Sequence, residues 1–305
     1  MLQPRGDRKV LCAGLICLDI LSVVDHYPVE DTDNRIERQI WQKGGNCANS
    51  AAVVAQLGEQ TAYFGTLATG RAADMVLDEM REFGVDVDQV VMHDGYASPS
   101  STIIINTSTG TRTIIHADNN LPELTLSDFH KLDLDQYKWI HFEGRNMTEV
   151  AKMVDAVQEY NRSRSMEDRV IISGECEKAK YHPEHFISTV DVMFVAKEYA
   201  QHHGFPTAQA AVEGFHRRVK KGATVVCAWG ELGADAMGPD GVHHHADAFS
   251  PDQVVDTLGA GDTFNGAIIA AMCRSLPLEE VLKFGCKVAG RKCGQFGYRG
   301  LTIGE

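Results

Sequence analysis

The chain has 305 residues, of which 44% are hydrophobic and 23% are charged, values typical of a globular protein with a sizeable core. Its formal net charge of −13 argues against nucleic acid or an anionic membrane surface as the main partner, because both require a basic face. No run of about 18 apolar residues occurs, so no membrane span is expected. The N-terminal stretch MLQPRGDRKV has no apolar segment, so no signal peptide is expected either.

Eight cysteines occur, none of them in a C-x-x-C pair, and most lie in apolar stretches such as VLCAGLICL and TVVCAW. This pattern indicates reduced, buried thiols and predicts a cytoplasmic protein without a disulfide framework. Cys286 and Cys293 lie on one predicted helix, and the rise per residue separates their Cα atoms by about 10 Å, which is too far for a disulfide.

Short apolar strands alternate with helical stretches along most of the chain. In chain order the predicted strands are KVLCAGLI, TAYFGTL, YKWIHFE, RVIISGE, DVMFVA and ATVVCAW. The predicted helices are ANSAAVVAQLG, AADMVLDEMREFG, TEVAKMVDAVQEY, AQAAVEGFHRRVKKG, TFNGAIIAAMCR and LEEVLKFGCKVAG. Repeated strand–helix units predict one α/β domain over residues 1–305, with a doubly wound, mostly parallel sheet covered by helices on both faces.

Two segments interrupt this alternation, residues 19–41 and residues 100–118. Both are extended in character, and the second predicts a hairpin around NTSTGT. Each is too short to build its own core, so we expect strands of a small β-sheet that projects from the main domain as a lid or an oligomer surface. Three adjacent histidines at 243–245 alternate faces on a predicted strand, so they cannot all ligate one metal ion.

Four polar or glycine-rich segments follow predicted strands or open helices at the sheet edge where ligands of doubly wound folds bind. They are the end of the first strand near Asp19, the stretch KGGNCANS with Asn46 and Asn49, the loop GELGADA with Gly230 and Gly233, and Asp262 after LGAG. Asn46 and Asn49 are three residues apart at a helix start, so they share a face. Neutral amides and a carboxylate without a cluster of Lys or Arg favour a neutral, polyhydroxylated ligand.

Each of these residues also has a purely structural interpretation. Asp19 is compatible with a solvated turn, and Gly230 and Gly233 are compatible with a tight turn. Asn46 and Asp262 are compatible with helix N-caps. Because the four segments occur together at one predicted edge, a shared binding cleft is the favoured interpretation.

The stretch VVDTLGAGDTFNGA combines a glycine-rich loop with a carboxylate, Asp262, at a helix start. It lacks the G-K-[ST] of a Walker A loop, and its glycine spacing is wrong for a dinucleotide fingerprint, which argues against a nicotinamide oxidoreductase. Phosphoryl transfer uses both features. Backbone N–H groups of residues 259–262 and the helix N-terminus hold the charge of the phosphoryl group, and Asp262 takes the proton of the attacking hydroxyl.

DTLGAGDTFNGA and KGGNCANSAAVVAQLG resemble the C-terminal and N-terminal signatures of the ribokinase-like, or PfkB-type, sugar kinases. LDILSVVDHYP, WQKGGN, KWIHFEGRN, VVCAWGELGADAMGPDG and LKFGCKVAGRKCGQFG are similar to the branch of this family that phosphorylates ketohexoses, so the resemblance spans nearly the whole chain. It implies ATP-dependent phosphorylation of the C1 hydroxyl of a ketohexose, chiefly D-fructose. A related kinase acting on ribose, adenosine or a keto-sugar acid is the nearest alternative, and a non-catalytic regulator that binds sugar or nucleotide is another.

The resemblance also implies roles for individual residues. The sugar-binding residues would be Asp19, Gly45, Asn46, Asn49 and Asp262. Asp262 would be the catalytic base, with an anion hole formed by Gly259, Ala260 and Gly261. The ATP-binding residues would be Arg112 on the lid hairpin, the loop residues Gly230, Glu231, Leu232 and Gly233, and the anion-hole residues.

Two further expectations concern the assembly and the metal ions. The resemblance implies a homodimer formed through the lids, in which Asp31 reaches the partner's site. Many family members carry an N-x-x-E motif that organises Mg²⁺, but the corresponding stretch here reads VAKEYAQHHG, so Mg²⁺ is expected with ATP and no protein ligand is assigned. A monovalent-cation site, for K⁺, near the DTLGAGD loop is typical of the family.

Overall fold

The computed structural model describes residues 8–301, so residues 1–7 of the stretch inspected for a signal peptide lie outside it. The strands are β1 (Lys9–Ala13), β2 (Cys17–Val24), β3 (Arg38–Gly44), β4 (Thr61–Phe64), β5 (Thr66–Ala68), β6 (Val85–Asp86), β7 (Val91–His93), β8 (Ser100–Asn106), β9 (Thr111–Ala117), β10 (Tyr137–Glu143), β11 (Ile171–Cys176), β12 (Val192–Val195), β13 (Thr224–Ala228), β14 (Ala234–Met237) and β15 (His243–Ala246). The α-helices are α1 (Asn46–Gln56), α2 (Arg71–Glu82), α3 (Leu126–Phe129), α4 (Met147–Arg162), α5 (Glu184–Thr189), α6 (Lys197–His202), α7 (Ala208–His216), α8 (Ala260–Cys273) and α9 (Leu278–Cys293).

The main sheet has nine strands in the order β15-β14-β13-β12-β11-β10-β1-β4-β6. Neighbouring strands from β6 to β13 pair in parallel, and β14 and β15 add an antiparallel edge. The predicted doubly wound, mostly parallel sheet is therefore confirmed. The predicted strand TAYFGTL is wrong in one respect: it divides into β4 and β5, and β5 pairs with β7 in a separate two-stranded sheet.

Side chains alternate along each strand, and this alternation produces two hydrophobic cores. In β1, Val10 and Cys12 face a core formed with α1, α2, α8 and α9. Leu11 and Ala13 face the opposite core, formed with α4, α5, α6 and α7. Because both faces of the central strands are buried, these strands are mostly apolar, as in parallel sheets generally. Within residues 8–301, no helix has both the length and the apolar character needed to cross a bilayer.

The lid is a four-stranded sheet in the order β3-β2-β8-β9. Because β2 and β8 pair in parallel, the two predicted lid segments form one sheet and not two separate strand pairs. Leu21 of β2 and Ile103 of β8 are buried against Leu258, which lies directly before α8. The lid sheet therefore packs on the glycine-rich loop as well as projecting from the main domain.

Glycines, and not polar side chains, cap the two helices that start at the predicted ligand edge. Gly45 caps α1 with φ 98°, and Gly259 caps α8 with φ 70°. The N-cap interpretation of Asn46 and Asp262 is therefore wrong, because Asn46 is the first residue of α1 and Asp262 is the third residue of α8. A Cβ at Gly259 would lie 1.8 Å from the hydroxyl oxygen of Tyr298, so only glycine fits at the start of α8.

We expect Gly259→Ala to lower the free energy of unfolding by roughly 2–4 kcal/mol, because a positive φ and overpacking against Tyr298 act together. Gly261→Ala is the matched control, since a Cβ there meets no atom within 4 Å and its φ is not positive. Its free energy of unfolding should stay within about 1 kcal/mol of the parent. Urea unfolding of both variants provides the measurement, and equal stabilities would contradict this account of the helix start.

Candidate active site

A cleft of about 830 Å³ lies between the carboxyl ends of the main-sheet strands and the lid. The predicted residues that line it are Asp19, Gly45, Asn46, Asn49, Arg112, Gly259, Ala260, Gly261 and Asp262. These residues lie on four separate segments of the sequence, and the fold brings them to one edge. The cleft lies beside β1, where the strand order runs to β4 on one side and to β10 on the other, the usual place for a ligand in this architecture.

Asp262 is a nearly buried carboxylate in the first turn of α8, with 7% of its surface exposed. Its Oδ2 accepts a 2.8 Å hydrogen bond from Nδ2 of Asn49, and its backbone oxygen accepts one from Oγ of Ser50. Burial raises the pKa of Asp262 to about 7, although the Asn49 hydrogen bond lowers this pKa and the charges of Glu177 and Glu143 raise it. A carboxyl group whose pKa lies near neutral pH is suited to general base catalysis.

Lys43, which is not among the residues predicted from the sequence, lies on the other side of Asn49. Its side chain is fully buried, and its Nζ donates a 2.5 Å hydrogen bond to Oδ1 of Asn49. Burial lowers the pKa of Lys43 to about 8, opposed by the carboxylates of Glu79 and Asp262. The available signal was its position directly before the GGN stretch, where a lysine is otherwise expected to be solvated.

Asp19 belongs to strand β2, so its interpretation as a solvated turn residue is wrong. Its carboxylate is buried against the backbone of Gly44, where a Cβ would lie 2.1 Å from Cγ of Asp19. The thiol of Cys17 donates to Oδ1 of Asp19 at 3.3 Å. Burial raises the pKa of Asp19, while hydrogen bonds from Cys17 and Ser101 lower it. The carboxylate therefore faces the cleft as a hydrogen-bond acceptor of fixed orientation.

Two buried glutamates at the ends of β10 and β11 also line the cleft, and neither was predicted. Oε2 of Glu143 accepts the N–H of Leu15 at 2.7 Å, and Oε1 of Glu175 accepts Nδ2 of Asn265 at 2.8 Å. Burial raises the pKa of Glu175 well above its usual range, and the charge of Glu177 adds to the effect. The signal in the sequence was the acidic residue that ends each of the predicted strands YKWIHFE and RVIISGE.

Asn46 points into the same acidic region. Its Nδ2 donates a 2.9 Å hydrogen bond to Oε2 of Glu177. Glu177 also lies 3.6 Å from the ammonium of Lys178, measured between Oε2 and Nζ. The side of the cleft next to α1 is therefore lined by amides and carboxylates, as the neutral polar ligand predicted from the sequence requires.

Cationic side chains also line the cleft. Arg112 of β9 reaches over the glycine-rich loop, and its Nη1 donates a 2.6 Å hydrogen bond to Oγ1 of Thr257. Arg145, Lys178 and Lys180 line the same cleft. These local cations allow an anion to bind although the chain as a whole carries a net charge of −13.

The glycine-rich loop ends in the first turn of α8. The first N–H groups of a helix have no carbonyl partner within the helix, so they and the helix dipole attract anions. The N–H of Ala260 turns back to the carbonyl of Thr257 at 3.3 Å, and the N–H of Thr263 donates to Gly259. Gly261 is exposed and carries no side chain toward the cleft, which leaves room for a phosphoryl group beside its N–H.

The predicted nucleotide loop is not part of the cleft lining. Gly230, Glu231 and Leu232 form a 3₁₀ turn, and a Cβ at Gly233 would lie 2.0 Å from a backbone oxygen, so the tight-turn interpretation accounts for this glycine. Oε1 of Glu231 lies 4.0 Å from Nζ of Lys197. Lys197 directly follows Ala196, which lines the cleft, so the loop lies next to it.

Asp31 lies in the exposed connection between β2 and β3, in a left-handed conformation with φ 61°. It does not line the cleft of its own chain. The structure therefore does not bring Asp31 together with the other predicted site residues of the same subunit.

Within residues 8–301, no group of three His, Cys, Asp or Glu residues is placed to hold a metal ion. Two of the three adjacent histidines, His243 and His245, contact the carboxylate of Asp235 at 2.6 and 3.3 Å. Mg²⁺ bound to ATP keeps water and phosphate oxygens as ligands, so it does not require such a group.

The residues of the DTLGAGD loop do not fit the monovalent cation expected there. The first residue of this loop, Asp256, is buried, and its carboxylate and backbone oxygen both accept hydrogen bonds from the ammonium of Lys292. Lys292 is also fully buried. These two oxygens therefore already have a cationic partner, and the residues present do not fit K⁺ at this point.

Comparisons with known proteins agree with this fold. A sequence model described as pfkB family carbohydrate kinase matches residues 7–302. The chain is 48% identical over 296 residues to the ketohexokinase of Mus musculus, covering 97% of this chain and 99% of that protein. It is similar in structure to a ribokinase from Giardia lamblia, with a TM-score of 0.81, 16% identity and 97% coverage of each chain. It is also similar to an Arabidopsis thaliana ribokinase complexed with ribose and ATP, with a TM-score of 0.78, 20% identity and coverage of 95% and 94%. The chain belongs to the pfkB family of carbohydrate kinases.

Proposed function

We propose that this protein transfers the γ-phosphoryl group of ATP to the C1 hydroxyl of a ketohexose, chiefly D-fructose. The observation that carries the proposal is the buried carboxylate of Asp262, which faces the cleft beside the first N–H groups of α8. The 48% identity to the mouse protein named ketohexokinase supports the choice of substrate. We place the reaction in the cytoplasm, because the cysteine pattern indicates reduced thiols.

The proposed reaction breaks the bond between the γ-phosphorus and its bridging oxygen and forms a bond from the C1 oxygen to that phosphorus. Asp262 accepts the proton of the C1 hydroxyl, and ADP leaves with the electron pair of the broken bond. Charge on the transferring phosphoryl group is stabilised by the dipole of α8 and by the N–H groups of Gly259, Ala260 and Gly261, that of Ala260 leaving its 3.3 Å contact with the Thr257 carbonyl. Mg²⁺ supplies charge neutralisation on the phosphates when it is bound.

The sugar would lie on the side of the cleft formed by β2 and α1. Asp19 and Asn46 offer a carboxylate and an amide to its hydroxyl groups, and the backbone of Gly45 approaches without a side chain. Asn49 would contact the sugar while holding Asp262. The ATP phosphates would lie next to Arg112 and the start of α8, so the two substrates would contact different segments of the cleft lining.

An assay of ADP release tests the substrate. Purified protein is supplied with Mg²⁺-ATP and, in parallel, with fructose, ribose, adenosine or a keto-sugar acid. Fructose should give the highest kcat/KM, and the product should carry phosphate on C1. A higher kcat/KM for ribose, adenosine or the acid would move the protein to another branch of the family. Sugar binding with no turnover on any substrate would identify a non-catalytic regulator instead.

Asp262→Asn tests the proposed base. The exchange preserves size and an oxygen acceptor for Asn49, but it removes the proton acceptor. We expect a folded variant that binds ATP and whose turnover of fructose falls on the order of 10²–10⁴-fold, the usual contribution of a positioned acid–base group. A thermal melt confirms folding. Because Gly259 caps α8, loss of a cap cannot explain such a decrease. Retention of more than half of the parent turnover would contradict the assignment.

Arg112→Ala tests the phosphate contact. A guanidinium donates charge-assisted hydrogen bonds to phosphate, each contributing about 1.5–3 kcal/mol. The KM for ATP should therefore rise, or kcat fall, while the binding of fructose in the absence of ATP is preserved. Arg71→Ala is the matched control, since Arg71 is exposed on α2 and does not line the cleft. Unchanged steady-state constants in the Arg112 variant would count against this contact.

The lid sheet supports the proposal of a homodimer. Trp41, Ile20, Thr102 and Ile115 are cross-strand neighbours in one row, so their side chains share a face of the sheet. Trp41 and Ile115 are 52% and 58% exposed. A second lid packed on this face would cover the apolar side chains and the edge strand β9. We expect a dimeric mass at micromolar concentration and a shift toward monomer in the variant Trp41→Lys/Ile115→Lys; a monomeric parent would refute the lid interface.

Mixing two variants tests whether Asp31 acts on the partner's site. Asp31→Ala and Asp262→Asn are each expected to be impaired as homodimers. When the two are mixed and allowed to exchange subunits, a mixed dimer contains one site with an intact Asp262 and an intact Asp31 from the other chain. Activity above that of either variant alone supports a contribution in trans. Mixed dimers that remain as inactive as the separate variants would show that Asp31 does not complete the partner's site.

A further inference from the structure

We propose that Lys43 is a positioning residue that fixes the amide of Asn49 and thereby the base, Asp262. This inference rests on the proposed kinase function. The three side chains form a buried chain of hydrogen bonds: Nζ of Lys43 donates to Oδ1 of Asn49 at 2.5 Å, and Nδ2 of Asn49 donates to Oδ2 of Asp262 at 2.8 Å. All three residues are buried, so water does not readily replace these partners.

The ammonium determines which way the Asn49 amide points. An ammonium group has only donors, so it can bond only to the amide oxygen. With the oxygen held by Lys43, the amide NH₂ must face Asp262. The NH₂ group can donate to an ionised carboxylate but cannot accept from a protonated one. The arrangement therefore favours the ionised state of Asp262, which is the state that can accept a proton.

Lys43 is held away from the cleft by its other contacts. Its Nζ lies 3.9 Å from the ring centroid of Tyr298 and 5.6 Å from that of Phe83, so two aromatic faces support the charge. Its backbone N–H donates to Oε2 of Glu79 at 2.5 Å, which anchors this end of β3 to α2. The cation is not among the residues that line the cleft, so it acts through Asn49 and not on the substrates.

The charge of Lys43 also compensates for the acidic residues around Asp262. Glu143 of β10 and Glu175 and Glu177 at the end of β11 all face the same part of the cleft. The negative charges of Glu177 and Glu143 raise the pKa of Asp262, after burial itself, and the charge of Lys43 lowers it. Loss of Lys43 would leave the charges of Glu177 and Glu143 without this compensation, and it would leave the Asn49 amide free to rotate.

The amide orientation also matters after the proton has been transferred. Once Asp262 holds the proton of the C1 hydroxyl, a freely rotating Asn49 would turn its oxygen toward the new O–H group and stabilise the protonated base. Lys43 opposes this rotation because it requires the same oxygen. The protonated base therefore releases its proton to solvent more readily and regains its ionised state for the next turnover.

The variant Lys43→Met tests the proposal, because it preserves the length of the side chain and removes its charge and donors. We expect kcat for fructose to fall on the order of 10- to 100-fold, the loss expected for one charge-assisted hydrogen bond. The KM for ATP should change little. The acid limb of the kcat–pH profile, set by Asp262, should move to higher pH by about half a pH unit or more, since a nearby positive charge is lost.

Two further variants separate positioning from folding. Lys43→Gln retains a donor to Asn49 but not the charge, so its acid limb should also move upward even if the decrease in kcat is smaller. Lys138→Met removes another buried ammonium, one paired with Glu59 at 2.7 Å at the opposite end of β10, and its acid limb should stay at the parent pH. If Lys43→Met does not fold, the position of the acid limb in Lys43→Gln, compared with that in Lys138→Met, still tests the inference.

The outcomes distinguish this inference from the proposed function. If the parent shows no turnover with any sugar, the proposed function fails first. If the parent phosphorylates a sugar but the acid limb of both Lys43 variants coincides with that of the parent, Lys43 has only a structural role and the inference is overturned. An equal shift in Lys138→Met would also overturn it, because the shift would then follow from destabilisation alone.

Discussion

The hydrogen bond between Asn49 and Asp262 joins the start of α1 to the start of α8, and the geometry of the cleft depends on it. Ser50 adds a second link, from its hydroxyl to the backbone oxygen of Asp262. The helices approach closely further along, where a Cβ at Gly266 would lie 2.8 Å from the carbonyl oxygen of Ser50. Because α1 carries the proposed sugar contacts and α8 carries the anion-binding N–H groups, this junction fixes the distance between the two substrates.

Burial raises the pKa of Asp262 at this junction, and it also brings several carboxylates together out of water. A carboxylate removed from water holds its proton more strongly, which is what a base near neutral pH needs, but further buried carboxylates add repulsion. A hydrogen-bond donor of fixed direction stabilises each of these carboxylates: the N–H of Leu15 for Glu143, Asn265 for Glu175 and Asn49 for Asp262. Such a cleft can hold a neutral sugar beside acidic groups and leave Arg112, whose partner is the neutral hydroxyl of Thr257, for phosphate.

The sequence predicted the parts of this structure that depend on local patterns. Apolar runs located the strands, and the glycines before Asn46 and Asp262 marked helix starts at a ligand edge. The sequence did not reveal that glycines would be the caps, or that Lys43 would be buried, because both depend on residues far away in the chain. Asn49 and Asp262 are 213 residues apart, and no periodicity reports such a contact. Lysine is usually found at the protein surface, and the burial of Lys43 is stabilised only by its aromatic and amide partners.

The lid connects the proposed subunit interface to the reacting groups. One of its faces packs Leu21 and Ile103 on Leu258, one residue before the cap of α8, and its edge strand carries Arg112 to Thr257 in the same loop. The row that contains Trp41 lies on the opposite face, because residues directly adjacent along a strand alternate sides. A partner lid on that face would therefore restrain β9 on the side turned away from the cleft. The position of Arg112 over the anion-binding loop would then depend on dimerisation, even though Arg112 and the loop belong to the same chain.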